Sequence, residues 1–120
     1  MMECTEVLDE ETLQELRDVA GDELNVVLQD FLNNGERHEA RLLQAQNDRD
    51  WETVASVAHD IKGGYGYLGA NQLLKVCMAV LSTVRGEQGH ADDLDQLTVD
   101  LMREFQAVRV ALTNLMKESV

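Results

Sequence analysis

The amino-acid sequence predicts an all-α protein, an antiparallel up-down four-helix bundle preceded by a short extra N-terminal helix. Apolar residues recur at helical spacing throughout the 120 residues, and no stretch alternates as a strand would. The sequence contains no proline, so long uninterrupted helices are permitted. Four long amphipathic segments with short connections favour a bundle. With no internal repeat or linker, we expect one domain spanning residues 1–120.

Start and stop signals place the helices in order. Gly21 closes the first helix, and Asp50, in the turn NDRDWE, is the predicted N-cap of the third. The composition of residues 86–93 indicates a loop before the last helix. The predicted helices cover residues 10–20, a long segment from about 22 to the turn, 51 to about 69, 71–85 and about 92–117.

Each long helix carries an apolar stripe that we expect to face the core. In the second helix the stripe is Leu24, Val27, Leu28, Phe31, Leu32 and Leu42. In the fourth it is Leu74, Cys77, Leu81 and Val84, and in the last Leu94, Leu97, Leu101, Phe105, Val108, Leu112 and Leu115. The acidic clusters LDEET and ADDLD are predicted to cap helix starts.

The composition excludes several classes of partner. A net charge of −13 argues against nucleic acid, which is bound through a surplus of Lys and Arg, and against an anionic membrane surface. No apolar run is long enough to span a membrane, and the acidic N-terminus does not resemble a signal peptide. Cys4 and Cys77 lack metal or redox spacing, which predicts a tail thiol and a core thiol. We therefore expect a cytoplasmic protein, and the starting methionine and absent linker favour a stand-alone one.

The stretch HDIKGGYGYLGA, which begins at His59, places four glycines among helical segments. On a helical wheel the core face is Val54, Val57, Ala58, Ile61, Tyr65 and Leu68. His59 lies on the opposite side and is predicted to point to solvent. Its neighbours on that face are Ala55, Ser56, Lys62, Gly63 and Gly66. These residues are small apart from Lys62, so another macromolecule can approach the imidazole closely.

This arrangement suits a phosphoryl group carried on a histidine. An exposed imidazole offers a ring nitrogen as nucleophile, and Lys62, one turn away, can neutralise charge on a phosphoryl group attached to it. The sequence has no Gly-rich phosphate loop with its own lysine and hydroxyl. The chain is therefore expected to hold or pass a phosphoryl group without drawing one from ATP.

The residues around His59 resemble the signature of histidine-containing phosphotransfer (HPt) domains. That signature is roughly Ala-His, one residue, an aliphatic residue, Lys-Gly, a variable stretch and Gly-Ala. The matching positions are Ala58, His59, Ile61, Lys62, Gly63, Gly69 and Ala70. The segments LDEETLQELRDVAGDELNVVLQDFL and DWETVASVAH are also similar to the family, so the resemblance covers essentially the whole chain.

The resemblance implies a phosphorelay intermediate rather than an autonomous enzyme. His59 would accept a phosphoryl group from an aspartate of one response-regulator receiver domain and pass it to another receiver. Lys62 would stabilise the phosphoryl group, and Gly63 would leave room for the receiver. Ala55, Ser56, Gly66 and Tyr67 complete the predicted partner-binding surface. The resemblance further implies no intrinsic cofactor or metal site, Mg²⁺ carried by the receiver, a hybrid sensor histidine kinase upstream, and a monomer.

The sequence departs from the family pattern in two places. Gly64 stands where many members have serine, so a helper hydrogen bond is either missing or provided by Ser56 or water; Gly64 is also a position that would let a neighbouring helix pack closely. Tyr65 and Tyr67 replace smaller residues. The wheel places Tyr65 in the core and Tyr67 on the flank, where it is either a half-buried packing residue or a partner contact.

The other histidines have weaker functional interpretations. His38 falls on the core stripe of the second helix, which favours a packed or edge histidine over a ligand. His90 is predicted to be a solvated loop residue. The Glu87-to-His90 spacing matches one half of a di-iron motif, but it straddles a loop and lacks the second pair that such sites need.

Two other functions compete with the phosphorelay shuttle. One is the dimerisation and phosphoacceptor domain of a histidine kinase, whose motif usually continues with a polar residue and proline where this chain has Gly63 and Gly64. The other is a non-catalytic module that docks receivers and regulates them without phosphotransfer. The docking module predicts that His59→Gln leaves regulation intact.

Overall fold

The computed structural model describes residues 8–86 and 90–118, which contain five α-helices and three short 3-10 turns. No strand occurs in those residues. The helices are α1 Glu10–Ala20, α2 Leu24–Asp48, α3 Trp51–Tyr65, α4 Asn71–Val84 and α5 Leu94–Glu118. The 3-10 turns are Gly21–Glu23, Gly66–Leu68 and Ala91–Asp93.

Helices α2 to α5 form the predicted antiparallel bundle. Each packs against the next along the chain, and α5 packs back against α2, so the four helices close into a ring. The connections between α2 and α3 and between α3 and α4 are short, as expected for neighbouring helices in up-down order. The short α1 packs against α2 and against the 3-10 turn that follows α3. None of the described helices is long and apolar enough to cross a bilayer.

Aspartate caps begin two of the helices. Asp9 starts α1, and its carboxylate accepts hydrogen bonds from the backbone N–H and the hydroxyl of Thr12, at 3.0 and 2.6 Å. Asp50 starts α3 and binds Thr53 in the same way, which confirms its predicted role. At both caps the two hydrogen bonds, the hydroxyl first, hold the pKa of the aspartate below its usual value.

The core fills the space between α2, α3, α4 and α5. Its largest fully buried side chains are Phe105, Leu28, Leu42, Ile61, Leu68, Leu73, Leu101, Leu112, Val54, Val57, Val80 and Val108. The predicted stripes of α2 and α5 supply the residues that these two helices contribute to that set. Leu24, Val27, Phe31, Leu32, Leu97 and Leu115 are only half-buried at its edge.

The stripe predicted for α4 is partly wrong. Cys77 and Leu81 are buried, but Leu74 and Val84 are half-buried, and Leu73 and Val80 take the central positions. The reason is that α4 packs against both α3 and α5, so its buried arc is wider than one stripe and is centred differently. Burial raises the pKa of the Cys77 thiol to about 12, as suits a core thiol. Cys4 lies outside the described residues.

The third helix is shorter than predicted. It ends at Tyr65 rather than near Gly69, because Gly66–Leu68 tighten into a 3-10 turn and Gly69 adopts a left-handed conformation with φ 70°. The predicted loop at 86–93 includes a 3-10 turn at Ala91–Asp93, whereas residues 87–89, which hold most of the dismissed Glu-x-x-His motif, lie outside the described residues. His90 is exposed, and its backbone N–H donates to the Asp93 carboxylate.

Gly69 also joins α1 to the end of α3. The backbone N–H of Asp9 donates to the Gly69 carbonyl oxygen at 2.9 Å. A β-carbon on Gly69 would lie 2.6 Å from the Asp9 β-carbon and 2.9 Å from the Asp9 backbone nitrogen. Both the left-handed φ and this close approach therefore require glycine here.

Candidate functional site

His59 projects from the middle of α3 into solvent. Its side chain is 71% exposed, whereas all six residues on the predicted core face of this segment are buried. The predicted orientation is confirmed. The imidazole is therefore open to a macromolecule approaching along the outer surface of α3.

Apart from Lys62, the residues around His59 have small side chains or none, and most of them are exposed. Ser56, Lys62, Gly63 and Gly66 are exposed, and Ala55 is half-buried. A β-carbon added to Gly63 would have nothing within 4 Å. At Gly66 the same atom would meet only the end of the Leu74 side chain, at 4.0 Å. The fold itself therefore does not require either glycine for packing, and both leave space beside the imidazole.

The site lies between α2 on one side and α4 on the other. Towards α2, Asp60 pairs with Arg41 at 3.7 Å, and Gly64 faces the Phe31 ring. Towards α4, Gly66 faces Leu74, and the Lys62 ammonium is close enough to oppose the rise in the Cys77 pKa that burial causes. Lys62 is therefore on the α4 side of the face and Asp60 on the α2 side.

Asp60 is the site residue that sequence reasoning missed. One carboxylate oxygen, Oδ1, lies 3.9 Å from His59 Nδ1, and the other, Oδ2, lies 3.7 Å from an Arg41 guanidinium nitrogen. The acid beside the histidine was visible in the sequence. Arg41 was not identifiable as its partner, because the contact depends on how α2 packs on α3.

His38 lies on α2 near the same carboxylate. It is half-buried, as a packed or edge histidine should be, and its ring lies edge-on to Phe105 with the centroids 6.1 Å apart. Burial lowers the pKa of His38; the charge of Asp60 opposes this shift, and Arg41 and Arg37 reinforce it. Its Nδ1 is buried without a hydrogen-bond partner.

An aromatic cluster lies on the buried side of α3, opposite the exposed face that carries His59. The Tyr65 ring packs against Phe31 and Phe105, with centroid separations of 5.0 and 5.2 Å. The Tyr65 hydroxyl donates to the Phe31 carbonyl oxygen at 3.0 Å, and burial raises the pKa of this hydroxyl to about 12. Gly35 of α2 is buried where this cluster meets α5. This role of Gly35 gave no sequence signal, since it stands in the charged run NNGERHEAR.

Two expectations next to the site need correction. Close helix packing does not require Gly64, since an added β-carbon would lie 3.8 Å from the Phe31 ring, an ordinary contact. Tyr67 is 70% exposed, not half-buried, because the chain leaves the α-helix for a 3-10 turn at Gly66 and turns this side chain outward. Within residues 8–86 and 90–118, no group of three or more His, Cys, Asp or Glu side chains is placed to hold a metal ion.

Comparison with known proteins decides the family. The sequence model of the Hpt domain matches residues 26–118. The chain belongs to the Hpt domain family. This Hpt domain is also similar to the crystal structure of histidine-containing phosphotransfer protein B from Pseudomonas aeruginosa PAO1, at 26% sequence identity and a TM-score of 0.84. The alignment covers 95% of this chain and 97% of the other. No curated protein sequence matches the chain.

Family membership gives this Hpt domain a general role. Hpt domains are histidine phosphocarriers of two-component phosphorelays, and they work with receiver domains and kinases. They carry a phosphoryl group rather than catalyse a reaction of their own. The resemblance seen in the sequence is thereby confirmed at the level of family and role.

Proposed function

We propose that this Hpt domain accepts a phosphoryl group on His59 from a receiver-domain aspartate and passes it to the aspartate of another receiver. The observation that carries the proposal is that the His59 imidazole is exposed and surrounded by small residues, with Lys62 one turn away. The family's histidine signature falls on this same residue. We further propose that residues 1–120 act as one domain and as a monomer.

The geometry favours Nε2 as the reacting atom. Nδ1 faces the Asp60 carboxylate, so Nε2 is the nitrogen directed away from that neighbour. The Nε2 lone pair attacks the phosphorus of the acyl phosphate, and the bond to the aspartate oxygen breaks with its electrons returning to the carboxylate. Lys62 supplies positive charge for the phosphoryl oxygens. The reverse step transfers the group to the next receiver.

The partner supplies what this surface lacks. Mg²⁺ would arrive with the receiver domain, and a hybrid sensor histidine kinase would be the source of the phosphoryl group. The receiver would cover Ala55, Ser56, Gly63, Gly66 and Tyr67. The exposed Tyr67 ring offers an apolar contact of the kind that partners bury. The cytoplasm is the compartment where such partners would be met.

The test is phosphotransfer from a panel of phosphorylated receiver domains with Mg²⁺, comparing wild type with His59→Gln. We expect acid-labile, base-stable phosphate on the wild type alone. His90→Gln is a matched control, because His90 is an exposed histidine outside the site; it should be labelled like the wild type.

Two results would contradict the proposal. Labelling of His59→Gln would mean that another residue accepts the phosphoryl group. Binding to receivers with no labelling of the wild type would instead favour the docking module, which regulates receivers without phosphotransfer.

A further inference from the structure

Asp60 connects the phosphoacceptor to the neighbouring helix. Its Oδ2 pairs with Arg41 of α2 at 3.7 Å, while its Oδ1 lies 3.9 Å from His59 Nδ1. Because Arg41 holds one oxygen towards α2, the other stays near the imidazole. We propose that Asp60 is a positioning residue for His59, and that it keeps the proton on Nδ1 so that Nε2 carries the free lone pair. This inference rests on the proposed phosphoacceptor role of His59.

A neutral imidazole has two tautomers, and only one of them is a nucleophile at Nε2. A carboxylate next to Nδ1 favours the tautomer with hydrogen on Nδ1, because the partial positive charge of that hydrogen is attracted to the negatively charged oxygen. The same carboxylate acts again during transfer. When Nε2 bonds to phosphorus and the donor bond breaks, the ring keeps its Nδ1 hydrogen and becomes a phosphoimidazolium cation. Asp60 then stabilises that positive charge.

A cationic side chain of α2 lies beside Asp60. Arg41 pairs with Asp60 directly. The charges of Asp60, Arg41 and Arg37 all affect the pKa of the nearby His38. The side chains of His59 and Asp60 are 71% and 52% exposed, so water screens their interaction and the expected effect is moderate.

The experiment compares wild type with Asp60→Asn, which removes the charge but keeps the size of the side chain. Long-range ¹H–¹⁵N NMR of the unphosphorylated protein, at alkaline pH where imidazole is neutral, reports which ring nitrogen of His59 carries hydrogen. We expect Asp60→Asn to shift the population from the Nδ1–H towards the Nε2–H tautomer. Potassium phosphoramidate then serves as the phosphoryl donor, and the rate of phosphohistidine formation should fall about three- to tenfold.

Two further variants separate positioning from general charge effects. Asp95→Asn is the matched control, since Asp95 of α5 is 50% exposed and pairs with Arg49, in the turn before α3, rather than with a residue next to His59. It changes the net charge equally and should alter neither the tautomer nor the rate. Arg41→Gln releases Oδ2 and should shift the tautomer in the same direction as Asp60→Asn, by a smaller amount.

Three results would overturn the inference. An unchanged tautomer ratio in Asp60→Asn would show that the carboxylate does not orient the imidazole. An equal loss of rate in Asp95→Asn would assign the effect to net charge. A normal phosphorylation rate in Asp60→Asn would mean that orientation does not matter for reactivity. Because the NMR measurement needs no phosphotransfer partner, it can support Asp60 even if receivers fail to label His59.

Discussion

The Tyr65 hydroxyl lies 3.4 Å from the position that a β-carbon on Gly35 would occupy. The same β-carbon would lie 3.3 Å from the tip of the Phe105 ring. Gly35 is therefore the place where α2 makes room for the aromatic residues of α3 and α5 beneath the candidate site. An added β-carbon is therefore crowded at Gly35 but has space at Gly64, so substitutions at these two glycines should have different effects on the free energy of unfolding.

Replacement of Gly35 by alanine should destabilise the fold. Alanine gains about 0.5–1 kcal/mol in helix propensity, but overpacking of a buried site costs about 1–3 kcal/mol. We expect a net loss of about 1 kcal/mol in the free energy of unfolding, measured by urea titration. Gly64→Ala is the control, because its β-carbon has space; it should be neutral or stabilising. Equal changes in the two variants would contradict the packing argument.

The Tyr65 hydroxyl should contribute modestly to stability. Tyr65→Phe removes the hydrogen bond to the Phe31 carbonyl oxygen while keeping the ring contacts. The expected loss is about 1 kcal/mol in the free energy of unfolding, the usual net value of one hydrogen bond. Far-UV circular dichroism should be unchanged. A loss several times larger would mean that the ring itself moves when the hydroxyl is removed.

A bulky residue at Gly63 should separate stability from function. Gly63→Leu points into open space, so helical content and unfolding temperature should be retained or raised. Transfer from a phosphorylated receiver should fall about tenfold or more, because the added side chain holds the partner away from His59. Gln106→Leu adds an apolar side chain at an exposed position of α5 and should leave transfer unchanged. Normal transfer by Gly63→Leu would argue against docking over this face.

Stability should fall in mild acid because of His38. Burial lowers the pKa of His38 in the folded protein, so the unfolded chain binds this proton more readily. The contribution of His38 to the free energy of unfolding is therefore fully present above its unfolded pKa of about 6.5. It is lost as the pH falls through the lower pKa of the folded protein. Urea titrations at pH 7.5 and 5.5 should show a smaller loss for His38→Leu than for wild type. An identical loss would exclude His38 as the cause.

The Cys77 thiol should be inert in the native protein. It is fully buried, and burial raises its pKa to about 12, so almost no thiolate forms at pH 8. In a Cys4→Ser background, a thiol reagent should react slowly with the native protein and rapidly in denaturant. Fast native reaction would mean that α4 opens locally far more often than its packing implies.

The sequence was sufficient to predict the fold and the orientation of His59 because both follow from helical periodicity. All six residues on the predicted core face are buried, and the His59 imidazole on the opposite side is exposed. The end of α3 was harder to predict. Three glycines within four residues permit several backbone paths, and the contact of Gly69 with Asp9 selects among them.

Contacts between helices could not be predicted in the same way. Arg41 and Asp60, or Gly35 and Phe105, lie far apart in the sequence and meet only after α2 has packed against its neighbours. Periodicity reports which side of a helix is buried, but not which residue of another helix lies opposite. For that reason the glycines seen as unusual were those near His59, while Gly35 was overlooked.

Gly63 and Gly69 differ in what preserves them. Gly69 has a left-handed backbone conformation, and a β-carbon there would clash with Asp9. Gly63 has open space around it. In a library of single substitutions sorted by cellular abundance alone, Gly69 variants should disappear while Gly63 variants persist. Sorting the same library by signalling output should remove both. The difference between the two screens would outline the partner's footprint one residue at a time.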